Sequence, residues 1–135
     1  MNYYERKYKI IADEKEMNDI LVDYFFVLSF YSDGEFQRAL NYFAQQSGYG
    51  EVFIWALFQD DFDEWEEPYY EQLGKGYVLM ALTRPAVDED IGFYITFAEF
   101  YEHLKKCVDE KAAKRPEKSE SLYALLLEVK EGLNL

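Results

Sequence analysis

Residues 76–108 read GYVLMALTRPAVDEDIGFYITFAEFYEHLKKCV, and the order of signals in that stretch decides the fold. Gly74 and Gly76 lead into an apolar run, YVLMAL, that ends near Arg84-Pro85, where proline removes a backbone donor and closes a strand. The acidic AVDED, residues 86–90, reads as a turn, and IGFYIT at 91–96 is a further run of β-branched and aromatic residues. Thr96 with Glu99 then forms a capping box. Phe97, Phe100, Tyr101, Leu104, Cys107 and Val108 recur at helical spacing behind it, and Lys111, Lys114 and Arg115 gather at the C-terminal end, where the helix dipole favours cations.

On the N-terminal side, EVFIWALF at 51–58 follows the glycine-flanked SGYG and is apolar on both faces, which predicts one interior strand. Three successive strands imply an antiparallel meander, with a long acidic loop joining the first two. Upstream, Asp13 and Glu16 resemble a capping box before Met17, Ile20, Leu21, Tyr24, Phe25 and Leu28, so a helix is expected over about 14–30. Ser32-Asp33-Gly34 breaks that pattern, and Phe36, Leu40 and Phe43 mark a second helix stopping before Ser47-Gly48. Downstream, Pro116 precedes a last helix burying Leu122, Leu125, Leu126 and Val129 and ending at Gly132. The expectation is an α+β fold of one domain over residues 1–135: two N-terminal helices, a three-stranded antiparallel sheet and two C-terminal helices.

Composition narrows the functional classes. The chain carries a formal charge of −13, yet half its residues are hydrophobic and 19% aromatic, a composition that folds. Residues 51–102 hold thirteen acids against Lys75 and Arg84. Such a field attracts cationic partners and repels nucleic acid and anionic membrane. No stretch approaches the roughly 20 apolar residues of a membrane span or a signal-length apolar run, so a soluble cytoplasmic protein is expected. Cys107, the single cysteine, falls on an apolar helical stripe and reads as a buried thiol, and the single histidine, His103, reads as a surface residue.

Enzymatic signals are weak, and no catalytic activity, cofactor, metal or small-molecule substrate is expected. GYG at 48–50 and GKG at 74–76 lack the spacing and the Ser or Thr of a phosphate loop. An EF-hand loop needs glycine at its sixth position, but starting at Asp60 places Trp65 there and starting at Asp61 places Glu66 there. A carboxylate hydrolase requires two acids at a fixed separation, which adjacency in sequence does not supply.

The densest signal is DDFDEWEEPYYE at 60–71, with seven carboxylates in twelve residues and no base. Aromatic side chains between the acids supply the rigid apolar area that binding surfaces use. Asp60, Asp61, Asp63, Glu64, Glu66, Glu67 and Glu71 are expected to pair with a cationic partner, with Trp65, Tyr69 and Tyr70 as anchors and Asp88, Glu89 and Asp90 as a secondary patch. Phe62 and Trp65 could equally hold the loop to the domain, and a solvated acidic surface accounts for the charge alone. Glu51 and Glu99 are assigned to structure.

The segment from Gly48 to Val108 resembles the immunity proteins that neutralise ribonuclease toxins of bacterial contact-dependent growth inhibition and related polymorphic toxin systems. The resemblance rests on Gly48-Tyr49-Gly50, the DDFDEWEEPYYE run, the GYVLMAL strand and FAEFYEHLKKCV. It implies a cytoplasmic domain without catalysis that inhibits one basic toxin domain, one to one. A nuclease cleft is lined with Lys and Arg to hold phosphates, and carboxylates standing where phosphates go would form charge-assisted bonds there. A nucleic-acid mimic that displaces DNA or RNA from a basic regulatory protein would show the same charge.

Overall fold

The computed structural model describes residues 8–66 and 69–135. Strand β1 (Lys9–Ile10) is followed by helices α1 (Glu14–Ser29) and α2 (Asp33–Ala44), then strands β2 (Tyr49–Glu51), β3 (Ile54–Leu57), β4 (Tyr77–Leu82) and β5 (Ile91–Thr96). Helices α3 (Phe97–Lys114) and α4 (Ser119–Gly132) complete the chain. Each of the first three helices starts where the sequence offers a cap. Asp13 Oδ2 accepts from Glu16 N–H at 2.9 Å, Ser32 Oγ from Glu35 N–H at 3.3 Å, and Thr96 Oγ1 from Glu99 N–H at 3.1 Å. At Thr96 the box is reciprocal, with the Glu99 carboxylate reaching back to the Thr96 N–H.

The fold is α+β, but the sheet has five strands in the order β1-β5-β4-β3-β2 and is mixed, not three-stranded and antiparallel. The three expected strands are its centre: β3 pairs antiparallel with β4, Leu57 opposite Leu79, and β4 with β5, Tyr77 opposite Thr96. The expected single strand at 51–58 is instead most of a hairpin. Val52 takes a left-handed φ of 33° and reverses the chain, so Gly50 faces Trp55 across β2 and β3. A β-branched residue at positive φ is costly, and nothing in the sequence marks it as a turn. Gly50 is required there by contact, since a Cβ would strike the Ile54 carbonyl and the Trp55 ring. The opposite edge is β1, which runs parallel to β5 with Lys9 opposite Ile91.

All four helices contribute to the core on the sheet's inner face. Val78 and Met80 of β4 and Phe93 of β5 point into it against Phe25, Phe43 and Phe100. Phe100 is fully buried and meets Phe43 edge-on at 5.0 Å and Phe58 at 5.7 Å. Truncating such a ring to Ala removes about 3–5 kcal/mol. Helix α4 lies against α2 and α3, and its end touches α2 so closely that a Cβ on Gly132 would overlap the Ala44 carbonyl. The outer face carries Leu57, Leu79 and Tyr94, and the chain between β3 and β4 folds over them.

Candidate functional site

That connection, residues 58–76, is the acidic-aromatic segment, and it is a strap with an inside and an outside. Inside, Phe62, Tyr70 and Leu73 pack with Tyr8 on Leu57, Leu79 and Tyr94. The Phe62 and Tyr70 rings lie 4.4 Å apart. Tyr70 is only 3% exposed, and its hydroxyl accepts from Tyr8 N–H at 3.0 Å. Burial pushes its phenol up to about 12, with the Tyr8 donor acting in the opposite sense.

Two of the carboxylates are turned to the backbone. Asp61 Oδ2 accepts from Phe58 N–H at 2.7 Å, closing the 3-10 turn Gln59–Asp61, and Gly48 N–H donates to the same carboxylate. Desolvation raises the Asp61 pKa, and the two backbone donors pull it down by less. The fit is tight: a Cβ on Gly48 would stand 2.5 Å from Asp61 Oδ2. Asp63 Oδ1 accepts from both Trp65 and Glu66 N–H at 3.0 Å, and Glu66 Oε1 accepts from Asp63 N–H at 3.4 Å. Asp61 and Asp63 therefore shape the strap, a role that side-chain oxygens play in turns whatever the surface around them.

Outside, Asp60, Glu64 and Glu71 are exposed, as are Asp61 and Asp63 despite their bonds to the backbone, and Trp65 is 62% exposed and Tyr69 47%. Glu66 is half-buried. Glu67, with Pro68, lies outside the described residues. The expected anchors therefore separate: adjacent tyrosines face opposite ways, Tyr69 outward and Tyr70 into the sheet. Phe62 and Trp65 separate likewise, the first holding the strap down and the second presented to solvent.

The acidic turn at 88–90 is tied to the same edge of the sheet. Asp90 Oδ1 accepts from Arg84 N–H at 2.9 Å, its carbonyl accepts from Lys9 N–H at 2.9 Å, and Glu89 pairs with Lys9 Nζ at 3.4 Å. Asp88 is exposed. Because Tyr8 bonds to the strap and Lys9 to the turn, β1 joins the two acidic patches along one margin.

Elsewhere, His103 is half-buried rather than set on the polar side of its helix. It stacks on Phe25 at 5.1 Å with 16° between planes, and burial, reinforced by Lys106, lowers its pKa. Cys107 is buried, its Sγ lies 3.7 Å from the Phe25 carbonyl, and burial pushes the thiol up to about 12. At that value it is protonated at neutral pH and is no nucleophile. Among the described residues, no group of three or more His, Cys, Asp or Glu is placed to hold a metal ion, and no helix is long and apolar enough to cross a membrane.

What the geometry presents is carboxylates and two aromatic rings displayed outward on a strap whose other side chains fasten it down. The model of the CDI immunity protein family, CDI being contact-dependent growth inhibition, matches residues 9–126, and the chain belongs to that family. No curated protein and no solved structure matches it.

Proposed function

We propose that this protein neutralises a ribonuclease toxin domain by setting the outward face of the strap against the toxin's cationic RNA-binding surface. The immunity family supplies the toxin-neutralising role. The observation that carries the finer reading is the exposed set Asp60, Glu64 and Glu71 around Trp65 and Tyr69, in a segment with no base between Gln59 and Gly74. Asp88 and Glu89 extend it across β1. In this reading inhibition is stoichiometric, one to one, and takes place in the cytoplasm where the toxin's RNA lies. Carboxylates steer the basic toxin and pair with its Lys and Arg, while Trp65 and Tyr69 exclude water. Asp61, Asp63 and Tyr70 hold the strap and do not touch the partner.

The test uses a purified cognate toxin domain, an RNA-cleavage assay and stopped-flow association. The wild-type protein should abolish cleavage at equimolar ratio. The triple variant Asp60→Ser, Glu64→Ser, Glu71→Ser should associate about tenfold more slowly at low salt, the difference shrinking as salt is added. Equal association rates at low salt would remove the strap from the interface. Cleavage that persists with excess wild-type protein would reject the toxin reading.

A further inference from the structure

Helix α1 has more apolar surface than the fold uses. Ile20, Tyr24, Phe25 and Leu28 face the core, whereas Val22, Phe26 and Phe30, spaced four residues apart, form a second stripe on the outside. They are 56%, 61% and 73% exposed. The Phe26 and Phe30 rings meet edge-on at 4.8 Å, so they already hold one arrangement and lose little side-chain freedom on being covered. Beside Val22 and Phe26 runs a groove of about 240 Å³ between α1 and α3, floored by Phe25, His103 and Cys107.

Charge changes sign along this stripe. Asp19 and Asp23, toward the N-terminal end of α1, are exposed and form no ion pair among the described residues. Past the C-terminal end, Ser29 and Tyr31 border a hollow of about 470 Å³ whose α3 wall carries Lys111, Lys114 and Arg115. Lys111 Nζ donates to the Tyr31 carbonyl at 2.7 Å, and Arg115 lies 3.7 Å from both Asp33 and Glu117. Lys114 is exposed and forms no ion pair among the described residues. Between the two ends, Lys106 and Glu110 on the α3 side of the groove offset each other. A wholly basic or wholly acidic partner, or an anionic lipid surface, would satisfy one end and be repelled by the other. A contact between identical surfaces must instead be complementary to itself after a half turn, and this one is: apolar at Phe26, acidic toward one end, basic toward the other.

We propose that two copies of this chain associate through α1, antiparallel about Phe26. The half turn brings Val22 of one copy to Phe30 of the other, at the mouth of the groove. Asp19, about 10 Å along the helix from Phe26, reaches the Lys114 end of the opposite copy. The strap lies over the other face of the sheet, so each copy keeps it free, and its acids are screened beyond about 8 Å at physiological salt. A contact built on one helix face belongs with interfaces under about 1,200 Å² in total, which are weak and transient, so the dissociation constant is expected in the micromolar range.

Sedimentation equilibrium of the full chain, from about 1 to 500 µM, should show that monomer–dimer equilibrium. Phe26→Ser, Phe30→Ser should weaken it at least about 30-fold, with the urea midpoint unchanged because both rings face solvent. Charge exchange tests the arrangement. Asp19→Lys, Asp23→Lys makes both ends basic and Lys114→Glu, Arg115→Glu makes both acidic, so each variant alone should self-associate about tenfold more weakly, while their equimolar mixture should recover the wild-type dimer content. A wild-type chain that stays monomeric throughout overturns the proposal. So does a dimer that the serine variant leaves intact, and so does a mixture no more associated than its two components. A monomer whose serine variant loses affinity for phosphatidylcholine vesicles, or for a purified cognate toxin domain, overturns it in favour of that occupant.

Discussion

Replacing Asp61 by Ala tests whether an acid in the middle of the most acidic run of the chain is there for the fold. The substitution removes the acceptor of two backbone N–H groups, from Phe58 at 2.7 Å and from Gly48. Hydrogen bonds to a charged acceptor contribute about 1.5–3 kcal/mol each, and a donor left without a partner in the interior costs about 1–3 kcal/mol. The Phe58 donor belongs to a residue 1% exposed and has little access to water, whereas Gly48 is partly open and recovers a water contact. The expected loss is therefore about 2–4 kcal/mol, a large share of the roughly 5–15 kcal/mol that holds a domain folded. Urea denaturation followed by circular dichroism reads it directly, and at this chain length melting should fall by roughly 4 °C per kcal/mol. Asp61→Asn keeps one acceptor oxygen and should lose about half as much. Asp60→Ser and Glu64→Ser, at exposed positions, should stay within about 0.5 kcal/mol of wild type. The pH dependence adds a sign. Since the folded pKa of Asp61 is raised above 3.8, the native chain takes up this proton before the unfolded chain does. The added stability from this proton linkage is fully present below pH 3.8 and lost as pH rises through the folded pKa, on top of the backbone hydrogen bonds that either charge state accepts, a slope that Asp61→Asn should remove. An Asp61→Ala protein as stable as wild type would refute the assignment and return this carboxylate to the partner-facing set.

Three further outcomes are expected. Gly132→Ala drives a Cβ into the Ala44 backbone, which cannot swing aside as a side chain would, and should lower the unfolding free energy read from urea denaturation by about 1–3 kcal/mol or more. Thr96→Ala removes one half of the α3 capping box and should cost about 1 kcal/mol in the same assay, with Thr96→Ser restoring most of it. The folded pKa of His103 is lowered by burial and Lys106, with Glu99 opposing, so the unfolded chain protonates first and stability should fall as pH drops through 6.5. His103→Gln should flatten the melting temperature between pH 7 and pH 5, and an unchanged slope would show that another group sets it.

Helices were legible because their signals are local. Asp13, Ser32 and Thr96 cap the helices they precede, and apolar positions at three- and four-residue steps mark the buried faces. Strands β4 and β5 were legible for a similar reason, as apolar runs bounded by glycine, proline and acids. The hairpin of β2 and β3 was not, since its reversal at Val52 uses a residue that belongs in strands, and β1 is two residues whose pairing with β5 lies some eighty positions away. For the strap, composition showed that charge and aromatics concentrate there. It did not show direction: Tyr69 and Tyr70 are chemically identical neighbours, and the packing of Tyr70 on Phe62 and Leu79, with the Tyr8 hydrogen bond from far upstream, decides which one is fixed. On α1 the helical spacing put Phe25 on the buried stripe and left Phe26 and Phe30 off it, but spacing alone does not show that these two rings stay exposed.

If the strap is the docking face proposed above, its two sides make specificity rewritable. Phe62, Asp61, Tyr70 and Leu73 form a fixed chassis, and Asp60, Glu64, Trp65, Tyr69 and Glu71 are carried on it as interchangeable fittings. A library randomised at those five positions should keep the parental melting temperature in most members while its binding preferences scatter. The same diversity placed one residue away, at Asp61 or Tyr70, would lower the melting temperature of most members.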